Sequence, residues 1–375
     1  MALSKVDLAN QVENQLPQSL VADNVNYRNI IINGDMSIAQ RGTSFSSISS
    51  GNSNYPVDRF RTNVNTAGTW TISQDTTVPT GQGFAKSFKM DCTTANASLS
   101  AGSYIVIQQL VEAQNLQYLK FGTSSAESLT LSFWVRSNKT GTYICEINSS
   151  DSNRAFSKSY TIDSADTWEK KTITYPGDTT GVINNDNGVG LEFNFWLVAG
   201  SDFTSGTLAT SWSSLTNANR AAGQTVNLAD STANEWYMTG LQLEAGTTAS
   251  DFEFLPYDVN LQRCERYYYK TYPQGTSPGT PGWDGSFIMV AHANQSYVSN
   301  TVEFPVEMRT KPTITSYSGD TGTSGKWYSN STPGDVNVTG DTTFIGRKRA
   351  NKYVDGVNIN AGKYVGGHMT ANAEL

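Results

Sequence analysis

The sequence predicts an all-β protein: two antiparallel β-sandwich (jelly-roll-like) domains behind a short N-terminal docking arm. Three observations lead there. Segments 129–136 (LTLSFWVR) and 191–198 (LEFNFWLV) alternate apolar and polar residues with the period of a strand buried on one face. Other short apolar stretches recur between Gly-, Asn- and Asp-rich turns, with no helices between them, which favours an antiparallel sandwich over βαβ units. The composition agrees, with 11% aromatic and only 16% charged residues, and 375 residues suffice for two domains.

Residues 1–28 differ from the rest. Leu3, Val6, Leu8, Val12, Leu16 and Leu20 are irregularly spaced, and Pro17 interrupts any longer helix. The stretch is too short and polar to bury a core of its own. It reads as an arm that orders against a neighbour, the other reading being a loose terminus.

The first domain is expected over 29–260. Ile30, Ile31 and Ile32 form an apolar run stopped by Asn33-Gly34. In 129–136, Leu129, Leu131, Phe133 and Val135 point inward, leaving Trp134 and Arg136 outward. In 191–198, Leu191, Phe193, Phe195 and Leu197 point inward, leaving Glu192, Asn194, Trp196 and Val198 outward. Segments 103–108, 143–147, 155–162 and 168–175 are further strands, and 184–190 and 201–230 are long loops. In the closing strand around 236–243, Trp236 and Met238 share one face and Leu241 and Leu243 the other, with Gly240 at the change of phase marking a bulge. A strap and a helix-compatible segment (VNLQRCERYYY) lead into the second domain, 261–375. Strands there are expected at 266–272, 286–291, 301–306, 313–317, 343–347, 357–359 and 363–369, with 297–304 a further extended run. Gly-, Pro-, Ser- and Thr-rich loops fill 273–285 and 318–341.

Several classes are disfavoured. A net charge of −7 argues against sequence-independent nucleic-acid binding, which needs a basic surface. Cys92, Cys145 and Cys264 are odd in number and far apart, so no disulfide framework is implied. No apolar run approaches the roughly 20 residues of a membrane span, and no basic-then-apolar leader opens the chain. Neither a solenoid repeat nor a heptad run is present.

Four blocks carry a resemblance: NIIINGDMSIAQRGTSF at 29–45, LQLEAGTTASDFEFLPYD with CERYYYK at 241–270, FPVEMRTKPTIT at 304–315, and MTANAEL at the end. In this order they resemble phage tail-fibre and related virion proteins with a carbohydrate-binding-like jelly roll. The resemblance implies a homotrimer, docking to the phage tail or an adaptor through residues 1–28, synthesis in the host cytoplasm, and a C-terminal module facing the host.

Little in the sequence points to catalysis. His292 and His368 lack partners for a metal site, and no nucleophile elbow or phosphate-cradling glycine pattern appears. Asp91, Glu146, Glu192 and Glu244 lie near strands, but sequence does not set the carboxylate separations of glycan hydrolysis. Asp35 and Glu244 are candidates for a structural calcium between the first and last strands, the other reading being a turn Asp and an exposed Glu.

Sugar binding fits the residues better, because aromatic faces stack on pyranose rings while polar neighbours bond the hydroxyls. Trp134 with Arg136, and Trp196 with Glu192 and Asn194, form one candidate set. Trp283, Trp327 and Tyr328, in the long loops of the second domain, form another. Arg347, Lys348 and Arg349 read as a solvated hairpin end or a contact for acidic lipopolysaccharide. The expected function is a non-enzymatic fibre that attaches a virion to host polysaccharide or lipopolysaccharide, with neither nucleic-acid binding nor membrane insertion. A purely structural virion component (head fibre, decoration protein or adaptor) and a glycan depolymerase are the alternatives.

Overall fold

The computed structural model describes residues 27–338 and 344–375, and most of its regular structure is antiparallel strand. The expected docking arm lies outside the described residues, apart from Tyr27 and Arg28.

Eleven strands form one hydrogen-bonded sheet: β1 (Ser44–Val57), β2 (Phe60–Asp75), β3 (Ser87–Thr94), β4 (Tyr104–Glu112), β5 (Leu129–Ser137), β6 (Gly141–Ser149), β7 (Arg154–Ile162), β8 (Glu169–Tyr175), β9 (Val189–Ala199), β10 (Ser213–Ser214) and β11 (Glu235–Ala245). The order is β10-β7-β6-β9-β4-β2-β3-β11-β5-β8, with β1 beside β2. The sheet closes into a sandwich because β2 serves both halves, pairing with β4 over residues 61–65 and with β3 over 69–75. Between them the chain turns at Thr66 and Gly68, whose φ values are 46° and 78°. A Cβ on Gly68 would lie 2.4 Å from the Thr94 carbonyl oxygen, so glycine is required at this crossing. The halves meet through aromatic edges: Phe133 on β5 lies 5.1 Å from Phe195 on β9 and 5.2 Å from Tyr160 on β7.

The inward residues of β5 and β9 are buried as their alternation predicts. At β11 the expectation needs correction. Trp236, Met238, Leu241 and Leu243 all enter the core, because a bulge between Thr239 and Gln242 resets the phase. Gly240 sits in it with φ 61° and the Phe84 ring 2.5 Å from where a Cβ would be. The β1–β2 hairpin and β3 were not anticipated either. SFSSISSGNSNYPV has the composition of a loop, and its extended form comes from pairing rather than propensity. The run at 29–37 is not a regular strand, yet it does lie against β11. Ile30 N donates to Leu243 O at 2.9 Å, and the Asn29 side chain stands in for backbone, donating to Leu241 O and accepting from Leu243 N, each at 3.0 Å.

A helix, α1 (Tyr257–Glu265), leads to the second unit. There β19 (Tyr364–Asn372) pairs on its two sides with β12 (Tyr268–Lys270), β13 (Phe287–Val290), β15 (Thr313–Ser318) and β16 (Lys326–Ser329), and β17 (Gly334–Asn337) extends the sheet from β16. A ribbon of β14 (Gln295–Glu303) and β18 (Arg349–Ile359) packs on one face through Val298, Val354 and Ile359. The strand expected at 343–347 begins outside the described residues, and Ile345 makes only an isolated bridge with Ala350. β16 and β17 occupy what the sequence presented as loop.

The units meet at one polar joint, and the blocks of the resemblance converge there. Asn260 of α1 donates to Asp35 Oδ1 at 3.0 Å and Ser37 Oγ at 3.1 Å. Arg41 and Arg59 both pair with Glu374 and stack on Tyr268 and Tyr267, at 3.7 and 3.5 Å from the ring centroids. Arg309 donates to the carbonyl oxygens of Ala373 and Glu374, each at 2.8 Å. The motifs therefore encode the joint.

Candidate functional site

The outward face of the β3-β11-β5-β8 half has two different ends. Toward the strap, Gln242 donates to Glu244, Ser250 and the Asp251 carbonyl, and this region is buried. Toward the other end Thr239 and Tyr237 are buried, and the face opens at Trp134 and Lys170. Register places Trp134 of β5 between Thr239 of β11 and Lys170 of β8, and Arg136 beside Tyr237, which in turn neighbours Lys89 of β3. Trp134 is half-buried and Lys170 exposed.

The charges on this face are fixed rather than loose. Lys89 Nζ lies 2.7 Å from Glu235 Oε1, and the Tyr237 hydroxyl donates to Glu235 Oε2 at 2.6 Å. Arg136 donates to Asp166 through Nε and Nη2, both at 2.9 Å. The Tyr237 ring is flanked by the two cations, with Arg136 at 5.0 Å and Lys89 at 5.4 Å, and Trp168 meets it edge-on at 6.2 Å. Burial opposes charge on Lys89, but its bonds to Glu235 and Tyr237 outweigh that and raise its pKa. Partial burial raises the Glu235 pKa less than the Lys89 and Tyr237 hydrogen bonds depress it. The result is a half-exposed indole with donors and acceptors of both signs at strand spacing around it.

The second set divides. Trp327 belongs to β16 and is fully buried, its ring 5.1 Å from Phe287, so it presents no surface for recognition. Tyr328, the next residue, faces the opposite side and meets Trp283 at 5.7 Å. Trp283 lies across Gly319 and Gly366, at 3.0 and 3.2 Å from where their Cβ atoms would be, and Tyr364 completes the group at 5.9 Å. Ile288 and Val290, about half exposed, share the face. This patch is aromatic and apolar, with few hydrogen-bonding groups.

Trp196 and Asn194 also prove closed to a ligand. The 201–222 loop lies over them, with Phe203 5.1 Å from the Trp196 ring and Arg220 5.0 Å from its centroid. Both residues are buried, and Asn194 Nδ2 and Trp196 Nε1 donate to Glu146 Oε2. Arg220 grips the same carboxylate with two bonds of 2.8 Å. Glu146 and Glu192 do share the outer face of neighbouring strands, but Glu192 accepts from Asn148 and Ser150.

Asp35 accepts from Ser37 and Asn260, whereas Glu244 accepts from Gln242 and Ser250, so the two carboxylates serve separate hydrogen-bond groups. Among the described residues no three His, Cys, Asp or Glu side chains gather as a metal would need. Arg347 pairs with Glu307, and His368 is buried, stacked 3.8 Å from Tyr272. Sequence reasoning missed Tyr237, Lys89 and Tyr364. Tyr237 had a signal, since it holds the outward phase between Trp236 and Met238.

No family model matches the chain, and no curated protein matches its sequence. Among solved structures, it is similar to the enzymatically active domain of tailspike protein 4 of bacteriophage CBA120, at 14% identity and TM-score 0.30, covering 58% of this chain and 22% of that one. It is also similar to the family 11 carbohydrate-binding module of Clostridium thermocellum in complex with a β-1,3-1,4-mixed-linked tetrasaccharide, at 11% identity and TM-score 0.26, over 57% of this chain and 95% of that one. A third is the C-terminal family 22 carbohydrate-binding module of Clostridium thermocellum Xyn10B, at 10% identity and TM-score 0.27, over 56% and 98%. At these scores they assign neither ligand nor reaction to this chain.

Proposed function

We propose that this chain is a non-enzymatic, trimeric attachment protein of a phage tail fibre that holds host-surface glycan on the open end of its first sandwich. The observation that carries the reading is the half-buried indole of Trp134, set between Lys170 and Thr239 and beside the Lys89–Tyr237–Arg136 row. An indole face covers the apolar side of a pyranose, and the surrounding ammonium, guanidinium and carboxylate groups bond its hydroxyls. Such a shallow site binds weakly alone. Three copies per fibre and several fibres per virion would raise avidity through effective concentration. The arm at 1–28 is the part proposed to dock on the tail or an adaptor.

The Trp283–Tyr328–Tyr364 patch favours a second contact, because its exposed apolar neighbours suit a subunit interface or the hydrophobic face of a sugar. Labelled protein applied to host cells tests the reading: Trp134→Ala should lose binding while Trp283→Ala keeps most of it. Binding that survives Trp134→Ala removes this site. Absence of cell binding by the native trimer favours the structural-component alternative, and release of reducing sugar favours a depolymerase.

A further inference from the structure

A cavity of about 510 Å³ opens at the joint, between β4, the turn at 113–119, the segment at 27–32 and α1. Its size is within the range of small-molecule sites. Among the described residues no carboxylate lines it, but three arginines do, Arg263, Arg266 and Arg347. Two of these have counter-charges: Arg266 holds Glu112 at 2.7 and 2.8 Å, and Arg347 meets Glu307 at 3.1 Å. Arg263 differs. Among the described residues it forms no salt bridge, and its Nη2 donates to the Asn29 carbonyl oxygen at 3.1 Å. Burial lowers its pKa, which the more distant Glu253, bonded to the Arg28 and Asn29 amides, only partly offsets.

The walls beside it are aromatic. Tyr27, with its ring 5.6 Å from the Arg263 guanidinium, and Tyr118 are 50% and 36% exposed. Gln114 and Asn115 add amides. A bare inorganic anion would fill little of this space and use neither ring. A planar carboxylate matches the guanidinium fork, and a hydroxylated ring beside it meets the tyrosines and amides.

We infer that the joint cavity is a binding site for a carboxylate-bearing sugar, with Arg263 as its charge partner and Tyr118 as a wall. This site is separate from the Trp134 face and stands whether or not that face binds glycan.

Calorimetric titration of the full-length protein with digalacturonate, its methyl ester and inorganic phosphate tests the assignment. The expected result is binding of digalacturonate, at least tenfold weaker binding of the ester, and no comparable binding of phosphate. Arg263→Met should weaken digalacturonate at least tenfold, and Arg263→Lys, which keeps the charge but not the fork, by less. Tyr118→Ala, at a partly exposed position, should weaken it severalfold with the melting temperature unchanged, and Trp134→Ala should leave it unchanged. Absence of binding at millimolar ligand overturns the inference. So does phosphate binding as tightly as the sugar acid, or digalacturonate affinity that follows Trp134 instead of Arg263 and Tyr118. A version lacking residues 1–26 should bind at least as well; loss of binding on that truncation would place the ligand on the arm and contradict the assignment.

Discussion

Arg266 and Glu112 form a forked pair across the joint, with guanidinium nitrogens 2.7 and 2.8 Å from the two carboxylate oxygens. Glu112 is fully buried at the end of β4, and the Tyr267 hydroxyl donates to it at 2.6 Å. Burial alone would raise the Glu112 pKa, but the Arg266 and Tyr267 bonds outweigh it and hold the group below its usual value. The pair links the first sandwich to the segment that enters the second unit.

Arg266→Ala leaves that carboxylate without its main counter-charge. The expected loss is about 3 kcal/mol of unfolding free energy, since breaking a buried pair costs more than the pair is worth. Denaturant unfolding measures it, and combining the change with Glu112→Gln should restore part of the loss.

Glu265, one residue before Arg266, gives the joint a pH dependence. It is 7% exposed, and burial raises its pKa to about 7 from 4.5. A raised folded-state value means that its contribution is fully present below about pH 4.5 and is lost as pH rises through about 7. The melting temperature of the native protein should therefore fall between pH 5 and 8. Glu265→Gln should flatten that fall, adding about 2 kcal/mol at pH 8 and almost nothing at pH 4. Equal effects at both pH values would contradict the assignment.

Gly240 is the third test. Its φ of 61° and the Phe84 ring 2.5 Å from the missing Cβ mean that Gly240→Ala adds both strain and a clash. The expected cost is about 2–4 kcal/mol, and Phe84→Ala in the same background should relieve the steric part.

Strand alternation in LTLSFWVR and LEFNFWLV assigns the inward residues of β5 and most of those of β9, but it puts Val198 outward, and a register shift after Trp196 turns that residue into the core. Alternation says nothing about what lies over the outward ones. Trp134 and Trp196 are equivalent by that pattern, and they differ only because the 201–222 loop folds across one of them. A tertiary cover of this kind leaves no local periodicity to read. Trp327 was misplaced for a related reason: KWYS is four residues long between glycine-rich turns, too short to show which of its aromatics faces in. The β1–β2 hairpin was hidden by its serine, asparagine and glycine content, because its order comes from strand pairing, β1 on β2 and β2 on β3 and β4, rather than from the propensity of its residues. Glycine at the β11 phase change was legible, since so few causes produce one there.

The Trp134 face is the centre of the account, and affinity electrophoresis through gels containing host-surface polysaccharide addresses it most directly. The native protein should be retarded. Trp134→Ala should migrate as in a sugar-free gel, Arg136→Ala should lose roughly tenfold in affinity, as expected for one charge-assisted hydrogen-bonding group, and all three should keep the same melting temperature. Undiminished retardation of Trp134→Ala would contradict the claim that this open sheet end holds the glycan.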